Sequence, residues 1–182
     1  MSQQTPSALV VYESLFGNTA LVARAIVRGL RAAGLDAHRA PVSSLESTGS
    51  GDIDLLMLGA PTHAFSLSRP RSRSDAVRQG APPDRAESGA REWIRSVSPD
   101  RFGTSVVVVF DTRVAKVRRW PLAAGRTAGR LLRRRGFHLL RKPEAFLVDG
   151  VRGPLSAGEE ERAEHWGQTI GAAFLADQHH RS

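Results

Sequence analysis

The chain has no cysteine, and that absence removes several chemistries at once. A disulfide framework, a thiolate metal site, a cysteine nucleophile and a cysteine-ligated iron–sulfur cluster are all excluded. Lysine is nearly missing too: Lys116 and Lys142 stand against 24 arginines. Tyr12 is the single tyrosine. No apolar run approaches the roughly 20 residues that a bilayer span requires. The stretch from Ala8 to Tyr12 is too brief for the core of a secretion signal. A soluble cytoplasmic protein is therefore the expectation. Three motifs are also wanting. There is no G-x-x-x-x-G-K-[ST], so no P-loop for nucleoside triphosphates. No G-x-G-x-x-G follows the first apolar run and no G-x-S-x-G elbow occurs, which argues against a dinucleotide fingerprint and against a hydrolase of that type.

What is present amounts to one domain, expected over 1–182, with a Ser/Arg/Pro-rich insertion at about 66–83. A domain of that size takes roughly two-thirds of its unfolded surface out of water and needs no staples. The 26 basic and 18 acidic residues leave a net charge of +8, with a pI near 11.3. That charge is not spread evenly. Residues 1–68 carry four basic and five acidic side chains, whereas 113–142 carry eleven basic and none acidic. Two readings fit such a block: a solvated arginine face on a helix, or a docking surface for an acidic protein or cofactor.

Apolar patterning alternates between two kinds of element. Leu9–Tyr12, Ile53–Leu58 and Val106–Phe110 are short continuous apolar runs, as expected of strands buried on both faces. Leu35–Pro41 is weakly strand-like, and a last strand over 137–148 is predicted to break near Lys142-Pro143. Val22, Ala25, Ile26, Gly29, Leu30 and Ala33 form one helical stripe that Gly34 closes. Further helices are predicted over 87–97, 122–135 and 156–175, the last opened by a Ser156/Glu159 capping box. Residues 66–83 show no period and are expected to be a long excursion. Five strands alternating with helices predict an α/β fold, a parallel sheet covered on both faces. Ligands of such sheets collect at the carboxyl ends of the strands beside the switch point. The strand ends at 13–19, 59–67 and 111–120 are therefore the candidate site.

The first of these ends is the most informative. Ser14-Leu15-Phe16-Gly17-Asn18-Thr19 joins a buried strand directly to a helix start and supplies two hydroxyls, an amide and a run of backbone N–H groups. A helix N-terminus concentrates unsatisfied donors and about half a positive charge, which suits a phosphate dianion. An ordinary N-cap, with Asn18 or Thr19 as the capping residue, fits the same residues.

Val10 to Ala20, followed by Ala23, resembles the flavodoxin signature, in which a strand runs into a hydroxyl- and glycine-bearing loop for the phosphate of FMN. Leu58-Gly59-Ala60-Pro61-Thr62-His63-Ala64-Phe65 is similar to that family's second flavin loop, and to the version found in high-GC actinobacteria. The resemblance implies a flavodoxin-like three-layer sandwich with a five-stranded parallel sheet in the order 2-1-3-4-5. It implies FMN as cofactor, with Ser14, Leu15, Phe16, Gly17, Asn18 and Thr19 on the phosphate. Pro61, Thr62, His63, Ala64 and Phe65 would line one side of the ring. A third loop beginning at Asp111, Thr112 and Arg113 would meet its pyrimidine edge through backbone groups. The family's usual aromatic from that third loop has no tyrosine counterpart here, which leaves Phe65, His63 and Trp120 as candidates. His63 either couples flavin reduction to proton uptake or bonds the loop backbone. Arg113 either faces reduced, anionic flavin or lies on the surface.

The resemblance thus implies an electron-transfer protein shuttling electrons between a reductase and an acceptor enzyme, while the arginine block predicts partners whose docking surfaces are acidic. The alternative is an FMN-dependent oxidoreductase acting directly on a quinone- or porphyrinogen-like substrate under a cover formed by 66–83. No catalytic side chain and no metal is expected. A binding module for anionic polymers ranks last, because aromatic interleaving is poor and no nucleic-acid motif occurs.

Overall fold

The computed structural model describes residues 5–44, 53–63, 66–104, 106–117 and 123–179. Its sheet is built from β1 (Ser7–Tyr12), β2 (Asp36–Pro41), β3 (Leu55–Pro61), β4 (Val106–Val114), β5 (His138–Leu139) and β6 (Glu144–Val148). All pairings are parallel in the order β2-β1-β3-β4-β5, with β6 also paired to β4. The fifth lane of the expected 2-1-3-4-5 sheet is thus divided into two short strands. The division falls at the Lys142-Pro143 step, where proline has no N–H to give the ladder.

Helices cover both faces. On one, α1 (Asn18–Ala32) and α5 (Glu159–His179) bury Val22, Ile26 and Leu30 with Ala163, Ile170 and Phe174 against Val10, Met57, Val108 and Phe110. The two helices come close because glycines face backbone: a methyl group built on Gly29 would lie 2.0 Å from the Glu164 carbonyl oxygen. On the other face, α3 (Ala90–Ser96) and α4 (Ala124–Arg134) pack Trp93, Ile94, Ala128 and Leu132 on Val11, Leu58 and Val109.

Three expectations need correction. Within 66–83, α2 (Pro70–Arg78) is a helix rather than an aperiodic excursion. Its buried residues are Arg73 and Ala76, so it carries no apolar stripe to read, and the proline at its first position starts it. Asp111, Thr112 and Arg113 do not open a loop, because β4 runs on to Val114. The Ser156/Glu159 capping box does not form. The Ser156 hydroxyl donates to Asp149, and the Glu159 carboxylate accepts from the Leu147 N–H at 2.6 Å while pairing with Arg162 at 2.7 Å.

Register sets the site. Tyr12 is paired with Gly59, Gly59 with Phe110, Ala60 with Asp111 and Pro61 with Thr112, so the carboxyl ends of β1, β3 and β4 lie side by side. Residues 118–122, with Trp120, lie outside the described residues, as do Ala64 and Phe65.

Candidate functional site

β1 delivers the chain into the Ser14–Thr19 loop at the centre of the sheet edge. Gly17 takes φ 95°, a left-handed conformation that a side chain strains, and stands as the N-cap of α1 without a side-chain cap. The capping expected of Asn18 or Thr19 falls to Ser14, whose Oγ accepts the Ala20 N–H at 3.1 Å. The Ser14 hydroxyl proton is then left to donate elsewhere. Thr19 Oγ1 meets Thr112 Oγ1 at 2.8 Å, a buried pair that retains a second proton. Asn18 turns outward and donates to the Arg152 carbonyl at 3.3 Å. Among the described residues no acceptor meets the backbone N–H groups from Leu15 to Thr19. A loop with this many open donors at a helix N-terminus is chemically a receptor for an oxyanion.

The second strand end supports the first. Thr62 N donates to the Thr112 carbonyl at 2.8 Å, and His63 exchanges backbone hydrogen bonds with Ser66 at 2.8 and 2.9 Å. A tight reversal results, presenting Pro61, Thr62 and His63 to the cleft. Burial, with a smaller push from Arg73, lowers the His63 pKa, so its imidazole is neutral at neutral pH. The cleft is lined by Ser14, Leu15, Phe16, Asn18, Thr19, Pro61, Thr62, His63, Thr112 and Arg113, by Val114 from the same 111–120 stretch, and by two residues that sequence reasoning missed: Val148 and Val151. Val151 is 65 % exposed, an apolar side chain held out at the rim. An exposed valine in a strand-to-helix connection gave no motif by which to find it.

Asp111 does not face the cleft. It is fully buried and takes both Arg113 N–H groups, Nε at 2.8 Å and Nη2 at 2.7 Å. It also accepts the Gly125 N–H at 3.1 Å and the Thr62 hydroxyl at 3.3 Å. Thr62 Oγ1 in turn accepts the Ala124 N–H at 3.1 Å. Asp111 therefore holds the start of α4 and neutralises Arg113, whose remaining exposed edge borders the cleft.

A buried polar cluster lies behind the phosphate-type loop. Glu13 is 1 % exposed and accepts the Ala90 N–H at 2.8 Å. Burial raises its pKa, against hydrogen bonds from Ser68 and Ala90 and the charge of Arg73. Burial thus favours the protonated form of this carboxyl more than water does. Arg73, 2 % exposed, donates to the Ala86 carbonyl at 3.0 Å and the Ser68 hydroxyl at 3.1 Å, and pairs with Glu92 at 3.1 Å. Through it the 66–92 segment is fixed against the loop, and Leu15 and Phe16 pack on Ala76, Ala81 and Ala86. The same segment brings Arg85 alongside: a methyl group on Gly17 would lie 3.9 Å from Arg85 Nη1.

A parallel sheet in this order, with a donor-rich loop between its first strand and first helix, is the flavodoxin-like architecture. Comparison with protein-family models gives no match, and comparison with curated proteins gives no significant one. Solved structures do match. A cysteine-to-alanine mutant of flavodoxin from Pseudomonas aeruginosa aligns with TM-score 0.66 and 17% identity, over 93% of this chain and 99% of that one. Oxidised flavodoxin 2 from Bacillus cereus aligns at 0.58 and 18%, over 94% and 99%. The flavodiiron protein from Giardia intestinalis aligns at 0.58 and 15%, over 93% of this chain but 36% of its own. The chain has the flavodoxin-like fold. Among the described residues, no helix is long and apolar enough to cross a membrane.

Proposed function

We propose that the chain binds FMN in this cleft and carries electrons one at a time between a reductase and an acceptor protein. The observation that carries this reading is the loop from Leu15 to Thr19, whose N–H groups have no acceptor among the described residues at the carboxyl edge of the sheet. Its donors suit a phosphate monoester, which the Ser14 hydroxyl and the Thr19/Thr112 pair would also reach. Pro61, Thr62 and His63 would flank the ring on one side, with Thr112 and Val151 on the other. Bound FMN supplies the redox chemistry. The polypeptide holds it, keeps water from its buried edge and presents the exposed edge to partners.

The carrier reading is favoured over an enzyme with its own substrate by the position of the insertion. Residues 66–83 pack behind Leu15 and Phe16, and none of those described lines the cleft. No substrate cover is formed from them. Reconstitution tests both readings. Purified protein is expected to be yellow or to become so with FMN, and to release FMN on denaturation. A protein that stays colourless after FMN is supplied overturns the proposal. Turnover of a nicotinamide or a quinone without added partner protein would favour the enzyme.

A further inference from the structure

We infer that an open groove between α4 and the β5–β6 connection docks an acidic surface of the protein that exchanges electrons with this chain. The inference rests on the flavin reading for its redox meaning, and on the groove's own residues for its chemistry. Arg113, Arg126, Arg130, Arg133 and Lys142 line the groove, with Glu144 as its one acidic member among the described residues. Glu144 is already paired with Arg162 at 2.6 Å and Arg113 with Asp111 at 2.7 Å. Arg130, Arg133 and Lys142 are exposed and have no acidic partner among the described residues.

Ordinary helix electrostatics do not explain the set. Cations are favoured in the last turn of a helix, which accounts for Arg133 and Arg134. Arg126 lies in the first turn, where the dipole opposes it, and Arg130 in the middle. The stretch from 113 to 142 contains no acidic residue. Such a one-sign surface gives up stability through self-repulsion, and it attracts a partner of opposite sign.

Position and lining chemistry identify the occupant. Arg113 lines both the groove and the candidate flavin cleft, so a body seated in one borders the other. Among the described residues the groove's lining has no aromatic side chain on which a base could stack, which disfavours single-stranded nucleic acid. A folded acidic surface fits.

The test uses the full chain and two fluorescent probes of similar charge, a deca-glutamate peptide and a deca-thymidine oligonucleotide, read by anisotropy at low salt. Arg130→Glu/Arg133→Glu should weaken peptide binding by about tenfold or more, and Arg130→Gln/Arg133→Gln by less. Arg69→Glu/Arg71→Glu at the start of α2 changes net charge equally, lies outside the groove and should bind nearly as the parent does. Equal losses in both Glu pairs would reduce the effect to net charge and overturn the inference. Tighter binding of the oligonucleotide, lost with the groove arginines, would overturn it in favour of nucleic acid. In FMN-loaded protein the peptide should also shift the visible flavin band, and the groove variants should not show that shift. Peptide binding needs no flavin, so the two readings fail separately. A colourless protein that binds peptide through the groove sinks the flavin reading and with it the redox role of the partner. A yellow protein without groove-dependent binding sinks this inference alone.

Discussion

Replacing Asp111 by asparagine should cost stability far more than cofactor affinity. The carboxylate is fully buried and satisfies four donors: two from Arg113, the Gly125 N–H and the Thr62 hydroxyl. Asparagine keeps the shape but removes the charge, and turns at least one donor toward another. Arg113, with its side chain only 13 % exposed, is left as a largely buried, unpaired cation. Breaking a buried pair in this way costs about 3–5 kcal/mol. At about 2–4 °C per kcal/mol for a chain of this length, the midpoint should fall by about 6–20 °C. Urea unfolding followed by circular dichroism measures the loss, and an unchanged m-value would place it in the native state. Asp111→Asn/Arg113→Leu should recover much of it, because the stranded charge is gone. The opposite result would refute the reasoning: a loss under about 1 kcal/mol together with a large fall in FMN affinity. Asp111 would then sit at the ring edge, as the family resemblance implies, and not beneath α4.

Four other outcomes follow from the same contacts. Gly59→Ala would bring a methyl carbon to 2.1 Å from Phe110 Cζ, so unfolding measurements should show a loss of about 1–3 kcal/mol, eased by Phe110→Leu. Ser14→Ala should lower FMN affinity by about tenfold, and Arg85→Gln by a smaller, salt-sensitive factor, with riboflavin binding changed by neither because it has no phosphate. The raised pKa of Glu13 means that the folded state holds its proton longer than the unfolded chain does. Its contribution is complete below the ordinary carboxylate pKa and is lost as pH rises through the raised value, so Glu13→Gln should flatten the fall in stability across that window. The exposed cations of the groove should stabilise reduced, anionic flavin. A redox titration should therefore give a higher potential for its formation than Arg130→Glu/Arg133→Glu gives, and equal potentials would remove that link.

The site was legible where its chemistry is contiguous. Six consecutive residues, Ser14 to Thr19, carry the donors, and apolar runs on both sides announce a strand and a helix around them. What stayed hidden is contributed from a distance or by residues of misleading type. Asp111-Thr112-Arg113 has the composition of a loop, yet it continues β4 because Asp111 finds its partners on α4 and in its own neighbour. A polar side chain reads as exposed until the donors that surround it are known. Arg73 is the stronger case. In sequence it belongs to an arginine-rich segment without a period, and in the fold it is a buried tie between Ser68, Ala86 and Glu92. One consequence is that the insertion, a substrate cover under the alternative enzyme reading, instead packs on the Ser14–Thr19 loop from behind, and the turn that follows it sets Arg85 beside that loop. The net charge of +8 therefore divides by position: Arg73 is structural, Arg85 flanks the donor-rich loop, and Arg130 and Arg133 of α4 face outward with no acidic partner among the described residues.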